Sequence, residues 1–234
     1  MQSVESYQSY GAVAVPEIHC EPLAVFDSSN LEAVRHAFQS VKPCLFGQAW
    51  LDETQAEFSP ASVRVGWREN SLLIFAELAD QDIFNGATEL NQRTWELGDA
   101  FEIFLAPAQS ESYIEFQVTP GNQKLQLRYS SAHSAARARQ TGALSEFLIT
   151  GEAFHSTTWI ETHLRQWNVF AEIPVWVVCG SNACIGNGQW RFSFGRYDYT
   201  RGAAEPCISS TSPHAEPDFH RRHEWGVLTF KMLS

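Results

Sequence analysis

The sequence predicts an all-β fold, namely an antiparallel β-sandwich of jelly-roll or immunoglobulin-like type with one or two short helices. Apolar and polar residues alternate with a period of two over most of the chain from residue 61 onward. Turn-forming residues divide this region into about eight to eleven short segments, and no segment follows the strand–helix–strand pattern of a parallel sheet. Of the 234 residues, 44% are hydrophobic and 13% aromatic, which suffices for one large core. We therefore expect a single domain over residues 1–234, with a core at about 45–231 and an N-terminal extension at 1–44.

A short helix and a β-hairpin are the first predicted elements. Asn30 precedes residues 31–39, where apolar side chains recur at helical spacing, and asparagine is a favoured residue at the N-terminal cap of a helix. Residues 62–68 alternate between apolar and polar side chains, and a turn at Glu69 and Asn70 leads into the apolar run 72–78. These patterns predict a helix over 31–39 and a hairpin over 62–78.

Three consecutive strands, at 100–105, 113–118 and 124–129, are predicted to form a meander with one apolar and one polar face. The side chains expected to face the core are Phe101, Ile103, Leu105, Ile114, Phe116, Val118, Leu125, Leu127 and Tyr129. The side chains expected to share the opposite face are Glu102, Glu115, Gln117, Gln126 and Arg128.

The remaining strands are expected at 147–150, 158–164, 168–173, 190–197 and 225–230. Residues 130–142 are predicted as a mobile loop, with a short helix as the alternative because the segment is rich in alanine. Residues 198–222 are polar and contain three prolines, which predicts a long loop of the kind that often carries function.

The charge balance limits the expected partners. The chain has 27 acidic and 16 basic residues and a net charge of −11, so nucleic acids and anionic membranes are not expected partners. The N-terminal residues lack the basic and apolar regions of a signal peptide, and no apolar run approaches the about 18 residues of a membrane span. The five cysteines are odd in number and scattered, which is typical of reduced thiols, and we expect a cytoplasmic protein.

An ordered set of motifs gives the sequence a family resemblance. Residues 95–105 read WELGDAFEIFL, residues 172–174 read EIP, and residues 225–230 read WGVLTF. Together these motifs resemble the family 9 carbohydrate-binding modules and the wider DOMON-like group, over roughly residues 45–231.

The resemblance implies a jelly-roll-like sandwich with a ligand site over one sheet face. In the sugar-binding members, two aromatic rings sandwich a pyranose while carboxylate, amide and arginine side chains bind its hydroxyls. Trp95 matches the first aromatic residue and Glu102 the carboxylate. Phe219 lies near the position where the sugar binders carry a tryptophan, and Gln117 stands where an arginine is expected, so both positions depart from the family pattern. Other DOMON-like members bind haem.

The residues themselves favour the same region. A sheet face of carboxylates, amides and arginines suits a polyol, because hydroxyl groups both donate and accept hydrogen bonds, and an aromatic ring beside it can stack on a sugar. The predicted partner is therefore a mono- or oligosaccharide, and the predicted ligand-binding residues are Trp95, Glu102, Glu115, Gln117, Arg128, Arg191 and Phe219. The alternative is a plain solvated face on a cytoplasmic protein-interaction or structural domain.

Metal and haem sites are weaker hypotheses. Asp80, Asp82 and Asp99 supply hard oxygen ligands of the type that calcium prefers, although such residues are common in turns. His214, His220 and His223 match no metal-ligand spacing and are predicted to lie on the surface. Haem needs histidine or methionine axial ligands, and the methionines are Met1 and Met232 alone, which leaves only a bis-histidine arrangement.

The sequence predicts no enzymatic activity. Glu102 and Glu115 could form an acid/base pair on neighbouring strands, but a shallow, wet sheet face would not separate their pKa values as glycoside hydrolysis requires. Neither a nucleophile elbow nor a phosphate-binding or dinucleotide-binding motif occurs in the chain.

Overall fold

The computed structural model describes residues 14–180 and 188–231 and is mostly β with few helices, as predicted. The described strands are β1 (Glu17–Pro22), β2 (Cys44–Leu45), β3 (Ala61–Arg68), β4 (Ser71–Ala79), β5 (Ala100–Pro107), β6 (Tyr113–Val118), β7 (Lys124–Tyr129), β8 (His155–Glu161), β9 (Gln166–Pro174), β10 (Gln189–Asp198), β11 (Cys207–Ser210) and β12 (Gly226–Phe230). The described helices are α1 (Leu31–Phe38), α2 (Ala132–Thr141) and α3 (Val175–Cys179). None of these helices is long and apolar enough to cross a bilayer.

The strands form one curled, mixed sheet in the order β7-β6-β5-β10-β12-β1-β3-β4-β9-β8, with β11 beside β10 and β2 beside β3. β1 is parallel to both of its neighbours, β12 and β3, whereas the other strand pairs are antiparallel. The expected all-antiparallel jelly-roll or immunoglobulin-like sandwich is therefore not confirmed. β1 also belongs to the residues predicted as an N-terminal extension, yet it lies in the middle of the sheet and joins its two halves.

The main core lies between the two halves of the curled sheet. It combines apolar side chains of β3, β4 and β9 with those of β5, β6 and β10, including the stacked rings of Phe101 and Phe194, whose centroids are 5.8 Å apart. The six residues of β5 and β6 that were predicted to face the core all belong to it. The apolar alternation of these strands thus orients the two halves toward each other.

A second apolar layer covers the outer face of β5, β6 and β7. It contains Phe104, Tyr113 and Trp225 together with residues of α2. Leu125, Leu127 and Tyr129 also belong to this layer, so the predicted orientation of β7 is wrong. The register explains the error, because Glu115 pairs with Leu127 and Gln117 with Leu125. Leu125 and Leu127 therefore share the face of Glu115 and Gln117, and Gln126 and Arg128 lie on the opposite face.

Helices α1 and α2 each begin at a side-chain cap. The Asn30 side chain accepts hydrogen bonds from the backbone N–H groups of Glu32 and Ala33, which confirms it as the cap of α1. Residues 130–142 form helix α2 rather than a mobile loop, with a capping box of Ser131 and Ser134 at its start and Gly142 in a left-handed conformation (φ 70°) at its end. α2 packs on the outer face of β7 and forms one wall of the candidate site.

Candidate ligand-binding site

A cavity of about 510 Å³ opens between the outer face of β5 and β6, helix α2 and the segment 217–220. Two acidic residues and a glutamine lie at its floor, and aromatic rings form its walls. Its lining residues are Arg93, Trp95, Glu96, Glu102, Glu115, Gln117, Leu127, Tyr129, Ala138, Arg139, Gly142, Leu144, Tyr197, Pro217, Asp218, Phe219 and His220. Five of the seven predicted ligand-binding residues thus meet at one site.

A glutamine links the two carboxyl groups at the floor. Glu102 of β5 lies directly opposite Gln117 of β6, and Glu115 is two residues before Gln117, so all three side chains share one sheet face. Gln117 Nε2 donates to Glu102 Oε1 at 2.5 Å and to Glu115 Oε1 at 2.7 Å. The Gln117 carbonyl oxygen accepts a hydrogen bond from the Thr94 hydroxyl. This network holds the amide in one orientation and aligns both carboxyl groups.

Burial disfavours ionisation of both carboxyl groups. Glu102 and Glu115 are 3% and 4% exposed. Desolvation raises the pKa of Glu115 to about 7, although the hydrogen bond from Gln117 opposes the rise. The pKa of Glu102 is raised well above its usual value by desolvation and then by the charge of Glu115. The expectation of a shallow, wet face is therefore wrong, because the acidic pair is enclosed and retains a proton near neutral pH.

Of the three histidines predicted on the surface, His214 is buried and His220 is half-buried. His220 packs between Tyr113 and Glu115, with its Nδ1 atom 2.7 Å from the Tyr113 hydroxyl and its Nε2 atom 3.6 Å from Glu115 Oε2. Desolvation lowers the pKa of His220 to about 3, so its ring is neutral. His214 is fully buried, and its ring nitrogens contact Ser193 and Glu224. His223 alone is exposed as predicted.

Aromatic side chains form the walls of the cavity. Trp95 is half-buried, and a short 3-10 turn at Thr94–Glu96 presents it at the margin of the floor. Its backbone carbonyl accepts a hydrogen bond of 2.6 Å from the Tyr199 hydroxyl. Phe219 is 4% exposed, because its ring packs against Phe104 and Tyr197 at centroid distances of 6.3 and 5.9 Å. Of the two aromatic residues predicted to bind ligand, Trp95 therefore offers the larger open surface.

Phe219 reaches the floor only because residue 195 has no side chain. A Cβ atom on Gly195 would lie 2.6 Å from Phe219 Cδ2 and 3.1 Å from Glu102 Oε2. We expect Gly195→Ala to lower the free energy of unfolding by about 2 kcal/mol, because the ring must move within a packed layer. Urea denaturation measures the loss. Gly188→Ala is the control, since a Cβ atom there meets no atom of the described residues within 4 Å. Equal losses from the two variants would contradict the packing argument.

Charged pairs surround the mouth of the cavity. Arg139 of α2 binds Asp218 Oδ1 at 3.1 Å and so connects the helix to the segment 217–220. Arg93 binds Glu96 at 3.1 Å and donates to the Gly142 carbonyl at 2.7 Å. The sequence did not predict these residues as part of the site. The helical alternative for 130–142 was the available signal for Arg139, since only a helix there brings it over the sheet.

Two predicted ligand-binding residues lie away from the cavity. Arg128 is on the opposite face of β7 and donates a hydrogen bond to the Val177 carbonyl of α3. Arg191 is on the same face as the floor, but it pairs with Ala106 near the far end of β5 and donates to the Trp225 carbonyl at 3.4 Å. Arg128 and Arg191 therefore do not line this cavity, and a role for them in ligand binding stays a prediction.

Two of the three predicted calcium ligands converge. Asp80 and Asp99 are buried and cluster with Asp198. The Arg196 guanidinium lies within this cluster, 3.2 Å from Asp80 and 3.0 Å from Asp198. Asp82 instead binds Arg201 at the surface. Arg196 therefore compensates the charge of Asp80 and Asp198. Calcium binding stays a prediction, and Asp82 is not part of the cluster that the other two predicted ligands form. Met1 and Met232, which were set aside as haem ligands, lie outside the described residues, and the bis-histidine arrangement stays a prediction.

Solved structures with a similar fold include proteins connected with carbohydrates, each 15% identical to this chain. A Bacteroides uniformis protein, for which carbohydrate binding has been proposed, gives a TM-score of 0.70 and covers 93% of this chain and 100% of its own. A family 9 carbohydrate-binding module from Caldicellulosiruptor kristjanssonii gives TM-scores of 0.61 in complex with cellotriose and 0.63 in complex with glucose. These two structures cover 94% of this chain and 95% and 97% of their own.

The chain has the fold of a family 9 carbohydrate-binding module. The resemblance inferred from the motifs at 95–105, 172–174 and 225–230 is thus confirmed at the level of the fold. No family model and no curated protein matches the sequence. Within the carbohydrate-binding-module fold of this chain, the open cavity over β5 and β6 is the place where carboxyl, amide and aromatic groups meet.

Proposed function

We propose that this chain binds a mono- or oligosaccharide, without catalysis, in the cavity over β5 and β6. The observation that carries the proposal is the floor itself, where Glu102, Gln117 and Glu115 form a buried polar network beneath aromatic walls. Buried polar groups that open into a cavity favour ligands able to complete their hydrogen bonds.

The chemistry of the cavity is suited to a sugar ring. Hydroxyl groups donate to carboxylate oxygens, while the apolar C–H face of a pyranose stacks on an indole ring. Trp95 supplies that ring at one margin, and Phe219 also lines the cavity. The cavity volume of about 510 Å³ lies within the range of small-molecule sites. The shared fold of sugar-bound family 9 modules adds support.

The arrangement of the carboxyl groups supports binding rather than hydrolysis. Glycosidases place two carboxyl groups on either side of the bond that is cleaved. Here Glu102 and Glu115 both bind the same amide nitrogen of Gln117, so they lie side by side on one floor. A sugar above that floor meets both groups from the same side, and neither group can act from the opposite face.

Calorimetric titration with glucose, cellobiose and xylan tests the proposal. We expect at least one of these sugars to bind, and we expect Trp95→Ala to weaken that binding by about tenfold or more, because stacking area is lost. Trp176→Ala is the matched control, since Trp176 is 54% exposed on α3 and does not line the cavity. Its affinity should equal that of the wild type.

Two outcomes would overturn the proposal. If the folded protein binds none of the sugars, a protein-interaction domain becomes the better explanation. If Trp95→Ala and Trp176→Ala weaken binding equally, the sugar is bound outside this cavity.

A further inference from the structure

The two carboxyl groups at the floor of the cavity have no lysine or arginine from the described part of the chain in direct contact with them. Among the described residues, no lysine or arginine lies within 4.0 Å of Glu102 or Glu115. The single ion-pair contact of the two carboxyl groups is with the ring of His220, 3.6 Å from Glu115 Oε2, and that ring is neutral because its pKa is lowered to about 3. Two enclosed acids without a cation favour a positively charged ligand.

Each carboxyl group also has one oxygen that is free to accept a hydrogen bond. Gln117 occupies the Oε1 atoms of both residues. Glu115 Oε2 is buried and has no hydrogen-bond partner, and Glu102 Oε2 accepts no hydrogen bond from the residues that the structure describes. The Tyr129 hydroxyl is near enough to Glu115 to lower its pKa, yet it does not occupy Oε2 with a hydrogen bond. The floor thus presents two carboxyl oxygens that can each accept a hydrogen bond from a ligand.

We propose that the preferred ligand is an amino sugar whose ammonium group binds between Glu102 and Glu115. This inference rests on the proposed function of the same cavity. An ammonium group has three N–H donors and a positive charge, so it can bind both acceptor oxygens and compensate the pair. A hydroxyl group has one donor and no charge. Hydrogen bonds between ions are also about twice as strong as neutral ones.

The rest of the cavity favours a sugar over a simple amine. Trp95, Tyr197 and Phe219 line it with aromatic surface, which a linear amine cannot cover as a ring can. The cavity of about 510 Å³ is also far larger than an ammonium group. The ammonium group therefore binds at the floor while the ring contacts the walls.

The charge state of the floor adds a measurable consequence. The pair retains a proton near neutral pH, because burial raises the pKa of both carboxyl groups. An ammonium group favours the ionised pair, so binding releases protons. The titratable and charged groups that face the pair are Tyr113 of β6, Tyr129 of β7, Tyr197 of β10, Arg139 of α2, Asp218 and His220 of the segment 217–220, and Arg93 and Glu96 beside Trp95. Of these, the two arginines are already paired with Glu96 and Asp218.

Calorimetric titration of the full chain with glucosamine, glucose and N-acetylglucosamine at pH 6.5 tests the inference. We expect glucosamine to bind about tenfold or more tightly than glucose, and N-acetylglucosamine to show no such gain, because acetylation removes the charge. Titrations in two buffers with different ionisation enthalpies should show proton release for glucosamine alone. The preference should weaken as the pH falls toward 5.

Isosteric variants connect the preference to the floor. The double variant Glu102→Gln/Glu115→Gln should bind glucosamine and glucose with equal affinity. Glu172→Gln is the control, since Glu172 lies on β9 outside the cavity, and it should keep the preference. Thermal unfolding of each variant checks that it is folded.

The outcomes separate the two proposals. If glucose and glucosamine bind equally to the wild type, the amino-sugar inference is wrong while sugar binding stands. If none of the three sugars binds, both proposals fail. If spermidine binds as tightly as glucosamine, the floor recognises amines without a sugar ring, and the inference is again overturned.

Discussion

Arg196→Met is expected to lower the free energy of unfolding by about 3–5 kcal/mol, because it leaves buried carboxyl groups without their cation. Arg196 is fully buried on β10 and lies 3.2 Å from Asp80 and 3.0 Å from Asp198. It also donates to the backbone carbonyls of Ser59 at 3.3 Å and Ala79 at 2.6 Å. Methionine has similar length but supplies neither charge nor N–H donors. Urea denaturation at pH 8 measures the loss.

A matched variant and a change of pH test this explanation. Arg201→Met removes an arginine that binds Asp82 at the exposed surface, so its effect should be within about 1 kcal/mol. The loss caused by Arg196→Met should shrink at pH 5, where the acids can take up protons. The pKa of Asp198 is already raised to about 6 by desolvation. A loss from Arg196→Met no larger than that from Arg201→Met would contradict the assigned role.

Glu115→Gln is expected to change the free energy of unfolding, relative to wild type, in a pH-dependent way. The difference between variant and wild type should favour the variant by about 3 kcal/mol more at pH 8 than at pH 4. Desolvation raises the pKa of Glu115 from 4.5 to about 7 in the folded chain. Between these values the folded state binds a proton that the unfolded state has released, so wild-type stability falls as the pH rises. Glutamine does not titrate, and its oxygen can still accept the hydrogen bond from Gln117. Chemical denaturation across this pH range measures the difference.

Subtracting the two curves removes the titrations that the substitution leaves unchanged. Glu102 stays part of the difference, because the charge of Glu115 helps to raise its pKa. The pKa of Asp99 is raised to about 8, mainly by desolvation, so it changes stability in the same direction. The lowered pKa of His220 acts oppositely and reduces stability as the pH falls below the usual value of histidine. Both contributions are present in wild type and variant. Glu172→Gln is the control and should follow the wild-type curve. If the curve for Glu115→Gln is parallel to that of wild type, the pKa of Glu115 is not raised in the folded chain.

The sequence predicts strand positions better than strand orientation. The alternation in β5 and β6 identifies the residues that face the main core, because one face of each strand carries Phe, Ile and Val in regular order. The same alternation fails for β7, because its Leu125 and Leu127 face a second apolar layer rather than the first. Alternation of apolar and polar residues shows that the two faces of a strand differ. It does not show which of the two apolar layers a given face contacts. Phe104 and Tyr113, apolar residues at outward positions, were the available signal for that layer.

The sequence predicts those residues of the candidate site that lie on neighbouring strands. Glu102, Glu115 and Gln117 come together because strands β5 and β6 are joined in a hairpin, whose register follows from local sequence. Arg139, Asp218 and His220 come from α2 and the segment 217–220, and their approach depends on tertiary packing that no local pattern reports. His220 is half-buried because aromatic side chains pack around it, and the loop-like sequence near it has no periodicity from which this could be inferred.

β1 is the central strand that pairs with both halves of the sheet and sets their register. It aligns Ile18 with Leu228 on one side and Glu21 with Gly66 on the other, so segments far apart in the sequence must meet before the sheet is continuous. Contacts of such long range form slowly during folding. Until they form, β12 and β3 each have an unpaired edge that accepts a strand from any chain. At high protein concentration, refolding should therefore produce dimers in which two molecules have exchanged β1, and dilution should suppress them.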